Sequence, residues 1–427
     1  MDLYAALNSS SMTYETGVVD YEDFPQTEEP VWLLGKKYST LYDLEELRSD
    51  VKSKLWFTYR KNFAPIGGTG PTTDTGWGCM LRCGQMVLAQ ALINHHLGRD
   101  WVWKPEVINP TYVQILQMFQ DKKNCIYSIH QIAQMGVSEG KAVGQWFGPN
   151  TVAQVLKKLS VYDDWTSLAV HVAMDNTVII DDIKDLCKMQ TTSQQMNKTY
   201  NNICSGSSKS QQQITSAVTT LENGIYFQCP KLSSQLSSGQ ALSSCSNRCS
   251  IWRPLLLFIP LRLGLTDINP LYIKGLKTTF TLKQSLGIIG GRPNHALYFI
   301  GAIGNEVVFL DPHTTQPATV LDTDSPSDES YHCCYASRMD VSQLDPSIAL
   351  CFYCRSEADF DNWCNHVYKL LIASEKQPLF ELSKERPSHW PSVESEQAQG
   401  GSTSLDFTIL DEERIFDTSD DEFELLG

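Results

Sequence analysis

Hydrophobic and polar positions recur along this chain in two rhythms. From Cys79 to Leu97 the apolar residues Val87, Leu88, Ala91 and Leu92 fall at helical spacing, and the run stops at Gly98, a residue suited to a helix C-cap. A long helix is therefore predicted to begin at Cys79. A second follows Gly148-Pro149-Asn150, with Val152, Val155, Leu156 and Leu159 at i, i+3, i+4 and i+7 and Asn150 in place to cap it. A third is expected from Asp359 to about Ser374. Residues 254–263, 296–302 and 306–311 read as strands, the last two joined by Gly304-Asn305, a two-residue hairpin signal. Helices and strands mix without a regular alternation, which predicts an α+β fold class.

Patterned sequence starts near Val31-Trp32-Leu33 and runs to about Asp182, then resumes from Trp252 to about Leu382. Residues 1–29 carry Ser, Thr, Glu and Asp around isolated tyrosines and read as a flexible N-terminal arm. Residues 188–249 are rich in Ser, Gln, Asn and Thr, with little to bury, and read as a polar insertion. The expected organisation is an arm at 1–29, a folded domain at 30–392 that contains the insertion, and a disordered acidic tail at 393–427.

Charge narrows the function classes. The formal net charge is −15, but residues 406–427 alone hold nine acids against one base, so the body is only mildly acidic. No basic stripe or arginine-rich arm is present, which argues against nucleic acid as a partner. Thirteen cysteines, an odd number and scattered, fit reduced thiols better than a disulfide framework. The start Met1-Asp2-Leu3-Tyr4 lacks the basic and apolar signature of a signal peptide, and the apolar run Leu255 to Leu261 is too short to span a bilayer. A cytoplasmic location is expected.

The candidate chemistry lies in two segments. Thr73-Asp74-Thr75-Gly76-Trp77-Gly78-Cys79 runs a glycine-rich turn into the predicted helix, so the thiol of Cys79 would feel the helix dipole and the free amides of the first turn. An isolated cysteine at a helix start is more often a small buried hydrophobe, so a nucleophile there needs a base. Leu310-Asp311-Pro312-His313 supplies one. In an extended segment residues i and i+2 point the same way, so Asp311 can orient His313 and stabilise the imidazolium formed when it takes the thiol's proton. His295, His95 and His96 read as core or surface histidines. An oxyanion could be held by the backbone amide of Cys79 and by Tyr59.

Other signals carry less. Gly68-Thr69-Gly70 opens a phosphate-loop pattern that Pro71 interrupts and Thr73 fails to close. Cys351-Phe352-Tyr353-Cys354 has zinc-like spacing, but its apolar surroundings read as a buried strand with structural thiols, and no metal or cofactor is expected. In the tail, Asp406-Phe407-Thr408-Ile409-Leu410 and Glu422-Phe423-Glu424-Leu425-Leu426 each set an aromatic three residues before a leucine behind acids, a pattern that can add a strand to a partner's sheet edge.

The blocks Phe57 to Phe63, Gly67 to Pro71, Asp74 to Gln85, Tyr127 to Val137, Gly144 to Leu159 and Leu310 to Gln316 resemble the autophagin family of autophagy cysteine peptidases, closest to its vertebrate A/B branch. The resemblance covers about 30–182 and 252–392. It implies a papain-like fold with a small auxiliary region and cleavage of GABARAP-like ubiquitin-like modifiers after a C-terminal glycine. It also implies their release from phosphatidylethanolamine, with transient contact with lipidated substrate on membranes. By motif match Cys79 is the nucleophile, Asp311 and His313 complete the triad, and Tyr59 takes the oxyanion role. Trp146 lines a narrow cleft that admits only glycine, and Phe423 and Leu426 resemble tail motifs that bind the modifiers. A flexible loop over the cleft corresponds to about Leu282 to Gly291, with Lys283 where the family pattern leads one to expect proline. The rival classes are a modifier-binding adaptor, which would not need the intact triad, and a cysteine acyltransferase, which would need a second acceptor site.

Overall fold

A computed structural model of the chain describes residues 23–190, 250–292, 295–319 and 328–387, together with the strand backbones of Thr13–Tyr14, Val218–Thr220 and Tyr226–Gln228. Most of the expected arm and insertion and the whole of the tail from residue 388 lie outside the described residues. Phe423 and Leu426 are among these.

The architecture is α+β, built on a nine-stranded sheet. Its strands are β1 (Pro30–Leu33), β2 (Lys36–Ser39), β3 (Ala169–Val172), β4 (Leu255–Arg262), β5 (Ser285–Arg292), β6 (His295–Ile303), β7 (Glu306–Leu310), β8 (Ser337–Asp340) and β9 (Ser347–Cys354). They pair in the order β8-β7-β6-β5-β9-β4-β3, with β1 added on the second half of β6 and β2 on β1. All these pairings are antiparallel except β3 with β4, where Leu255 faces Ala169. The strands predicted at 254–263, 296–302 and 306–311 are β4, β6 and β7, and Gly304-Asn305 makes the turn between the last two.

Both faces of this sheet are covered, so its strands read as nearly continuous apolar runs. Alternation along β9 shows the two sides. Phe352 meets Trp363 of the helix Glu357–Val367 with ring centroids 5.2 Å apart. Its neighbour Tyr353 places its hydroxyl 2.8 Å from Nδ1 of His95 in α1 (Cys79–His96). The CxxC pair lies within β9 as buried free thiols, Cys351 opposite Phe258 and Cys354 opposite Leu255. Burial pushes both thiols upward. All nine cysteines of the described residues are free.

α1 is buried from Cys79 to His95, which places its polar residues inside and obliges them to find partners. Gln85 donates to the carbonyl of Tyr127 at 2.7 Å, and Gln90 donates to Asn94 at 2.7 Å. Gly84 lets the helix Pro149–Leu159 approach, since a Cβ there would lie 2.5 Å from Val152.

Three expectations change. Asn150 does not cap the helix at 149; Gly148 takes that place and Pro149 opens the first turn, where its missing N–H costs nothing. The third helix starts earlier, at Glu357, because Ser356 accepts from the amide of Asp359, and it ends at Val367 in a wide turn over Tyr368–Ile372. The segment Leu282 to Gly291 is no loop over a cleft. From Ser285 it is β5, a buried central strand held between β6 and β9. Gly287 is there for close approach, at φ +82° and with room for no Cβ, which would sit 2.1 Å from the carbonyl of Phe299. Lys283, just before the strand, pairs with Asp359 at 2.8 Å.

Among the described residues no helix is long and apolar enough to cross a membrane.

Candidate active site

The site gathers where α1 begins. The turn before it is set by Asp74, whose carbonyl accepts from the amides of Trp77 and Gly78 at 3.2 and 2.8 Å, with Gly76 at φ +83°. The carboxylate of Asp74 is wholly buried. It accepts from the amide of Arg60 at 2.7 Å and from Arg82 through two bonds, Nε to Oδ2 at 2.9 Å and a terminal nitrogen to Oδ1 at 3.0 Å. Arg82 also pairs with Asp121 at 2.8 Å. This forked pairing anchors the turn to the first turn of the helix. It also leaves no space at Gly78, where a Cβ would stand 2.2 Å from Asp74 Oδ2.

A second set of bonds ties that turn to the segment bearing the base. Thr75 and Thr315 join hydroxyls at 3.1 Å, and Gln316 pairs in parallel register with Arg60. The amide of Tyr59 donates to the carbonyl of Pro312 and the amide of Gln316 to the carbonyl of Tyr59, both at 2.9 Å. Nε1 of Trp56 holds the carbonyl of Asp311 at 2.7 Å. Residues 56–60, 73–79 and 311–316 are thereby laced into one unit.

Within it Cys79, His313, Asp311 and Tyr59 come together as the sequence suggested. Asp311 Oδ1 accepts from the amide of His313 at 2.9 Å and lies 2.6 Å from its Nδ1. That contact fixes the tautomer with Nε2 turned away from the carboxylate. His313 Nε2 is buried and makes no conventional hydrogen bond of its own. What it answers to is the thiol of Cys79, which raises His313 while His313 lowers Cys79. Burial opposes charge on both groups. For His313 it is outweighed by the hydrogen bonds and charges of Asp311 and Cys79, which lift the imidazole to about 9. For Cys79 it is outweighed by His313, the backbone amide of Ala296 and the hydroxyl of Tyr59, which bring the thiol below its ordinary value. Asp311 is held well below the carboxylate range because its histidine partners overcome burial. The two shifts favour the thiolate of Cys79 and the imidazolium of His313, with a carboxylate behind the ring.

Tyr59 is 1% exposed, and its ring stands edge-on to His313 with centroids 5.3 Å apart. No side chain caps α1, whose first internal bond runs from the amide of Arg82 to the carbonyl of Gly78, so the amides of Cys79, Met80 and Leu81 precede the helical ladder.

Trp146 stands 42% exposed with Nε1 donating to Sγ of Cys79 at 3.3 Å. Its loop is fixed from below by Phe147, whose ring packs where a Cβ on Gly136 would be, 2.1 Å from Cζ. The half-exposed indole thus forms a wall beside the thiol.

One residue was read as an ordinary strand histidine and is not. His295 opens β6 with its ring stacked on that of His313, centroids 3.4 Å apart and planes 11° from parallel, and its Nε2 lies 3.9 Å from Asp311 Oδ2. The only sequence signal was its position ahead of the strand that pairs with the one leading into Asp311. Donor atoms of His295, Asp311 and His313 lie within 4.8 Å of one another, a spacing a metal ion would accept. Their engagement with each other and with the thiol makes the arrangement an acid–base one.

Residues 44–366 match the family model of the peptidase C54 catalytic domain. The chain is 49% identical over 424 residues to the cysteine protease ATG4B of Xenopus laevis, covering 99% of this chain and all of that protein. It is 48% identical to ATG4B of Gallus gallus over the same span, and 48% identical to the cysteine protease ATG4A of Homo sapiens over 418 residues, 96% of each chain. With its thiol, imidazole and carboxylate in line at the start of a buried helix, this α+β chain belongs to the peptidase C54 family, the autophagin cysteine peptidases.

Proposed function

We propose that this cysteine peptidase cuts GABARAP-like ubiquitin-like autophagy modifiers after a C-terminal glycine, in the cytoplasm, both to mature the precursor and to free the modifier from phosphatidylethanolamine. The observation that carries this reading is the convergence on one point of Cys79, the His313–Asp311 pair, Tyr59 and the indole of Trp146.

The thiolate of Cys79 attacks the glycine carbonyl, and the oxyanion is met by the amide of Cys79 and the hydroxyl of Tyr59. His313 gives its proton to the departing amine, leaving an acyl-enzyme. It then takes a proton from the water that releases the modifier's glycine as a carboxylate. Asp311 steadies the imidazolium throughout. The leaving amine belongs to the next residue in a precursor and to the ethanolamine headgroup in the lipidated form, so one set of groups serves both reactions. Trp146, 3.3 Å from Sγ, narrows the approach so that a residue with a Cβ clashes, which supports selection for glycine. Phe423 and Leu426 are proposed to hold a second modifier surface and raise its local concentration.

The test is to incubate the purified chain with a GABARAP-like precursor extended beyond its glycine, and separately with the lipidated modifier on phosphatidylethanolamine vesicles, and to weigh the products. The expected mass in both is the modifier ending in glycine. A precursor left intact, or cut elsewhere, contradicts the proposal.

A further inference from the structure

Asp311 is shared by two histidines. Its Oδ1 lies 2.6 Å from Nδ1 of His313 and its Oδ2 3.9 Å from Nε2 of His295, while the imidazole of His295 lies flat on that of His313 at 3.4 Å. Tyr59 meets the same ring edge-on, so the base has one face covered by His295 and an edge held by an aromatic. The backbone carries this placement. His295 pairs with Arg292 at the end of β5, and the residue after it, Ala296, gives its amide to Cys79. His295 thus starts a strand whose next amide already touches the nucleophile.

We propose that His295 is a positioning residue for the cleavage reaction: its ring covers the face of His313 and stands beside the second oxygen of Asp311, fixing the plane of the base that serves Cys79. The proposal rests on the peptidase reading of the site.

The charges around it give the proposal a sign. The titratable groups near His295 and His313 are Asp311, Cys79 and Tyr59, with the buried thiols Cys83 and Cys333 within electrostatic reach of Asp311. Burial holds Cys83 and Cys333 neutral. Arg292, the register partner, turns its Nε to the sulfur of Met339. His295 Nε2 faces Oδ2 of Asp311 at 3.9 Å, beyond a direct hydrogen bond, so the ring acts on the carboxylate as a polar neighbour through space. A polar N–H edge beside Asp311 offsets part of the negative charge that supports the imidazolium. Removing it should therefore raise the proton affinity of His313.

The experiment compares wild type, His295→Leu and His295→Gln in the full chain, with a GABARAP-like precursor extended beyond its glycine as substrate. Leu keeps the cover but has no donor; Gln keeps a donor and cannot take a proton. The expected result for His295→Leu is kcat lower by about tenfold with KM within about twofold, and an alkaline limb moved up by roughly half a pH unit, the size of one lost polar contact. For His295→Gln, kcat should stay within about threefold of wild type, since the donor is restored. A His295→Leu variant with the wild-type kcat and alkaline limb overturns the proposal, as does a change in KM alone, which would mark a substrate contact. If wild type leaves the precursor uncut, the substrate reading has failed instead, and the imidazole of His313 is then titrated by NMR. An upward shift in His295→Leu sustains the shared carboxylate, and an unchanged titration overturns it.

Discussion

Nδ1 of His313 lies 2.6 Å from Oδ1 of Asp311, and the same oxygen accepts the backbone amide of His313 at 2.9 Å, so one carboxylate oxygen sets both the ring and the chain that bears it. Asp311→Asn keeps the shape but offers neither the charge nor a dependable acceptor for Nδ1–H. The rate at saturation should fall by about two to four orders of magnitude with KM little changed. Steady-state kinetics on the extended precursor check this; a change confined to KM would make Asp311 a substrate contact.

The indole of Trp146 stands 3.3 Å from Sγ of Cys79 on a loop anchored by Phe147 against Gly136. Truncation to Trp146→Ala should open the approach to the thiol. The ratio of kcat/KM for precursors with glycine and with alanine at the cleaved position should drop by at least about tenfold, since one methyl group in a tight pocket contributes about 1–3 kcal/mol of discrimination. An unchanged ratio would remove Trp146 from the selection of glycine.

Arg82 is buried between Asp74 and Asp121, and Asp74 in turn holds the amide of Arg60. Arg82→Met would leave two carboxylates buried without their cation, which should cost about 3–5 kcal/mol in urea unfolding. A loss below about 1 kcal/mol would mean that this cluster does not hold the turn before Cys79.

The acid–base pair predicts a pH profile. His313, raised to about 9, carries stability that is full below its ordinary 6.5 and is lost as pH rises through about 9. Cys79, lowered from 9.0, carries stability that is present above 9.0 and lost as pH falls through its folded value. Where these windows overlap the slopes cancel, because the native pair has only moved a proton from sulfur to nitrogen. The cleavage rate should accordingly rise on the acid side as Cys79 loses its proton, level off before 9, and fall above about 9 as His313 loses its own. A rate that climbs until pH 9, like that of an ordinary thiol, would contradict the ion pair.

Much of this was legible in the sequence because it is local. A glycine turn leading into an apolar helix marks Cys79, and the i, i+2 spacing of Asp311 and His313 survives folding because both sit on one short segment. What escaped is made by contacts distant in sequence. His295 gains its place from a ring stack across a hairpin, and the turn before Cys79 is tied down through Arg82 to Asp121, 39 residues further along. The resemblance places a flexible loop at about Leu282 to Gly291, where the chain instead forms β5 from Ser285. At Gly287 and Gly290 the absent side chain makes room for Phe299 and Ile348 of neighbouring strands.

The central claim is that Cys79 performs the attack, and the most direct measurement is cleavage of the extended precursor by Cys79→Ala beside a binding measurement on the same sample. Loss of a covalent nucleophile should remove at least several kcal/mol of barrier lowering, so no product should form at enzyme levels where wild type completes the reaction, while precursor binding persists. Turnover by Cys79→Ala within about tenfold of wild type would contradict the assignment.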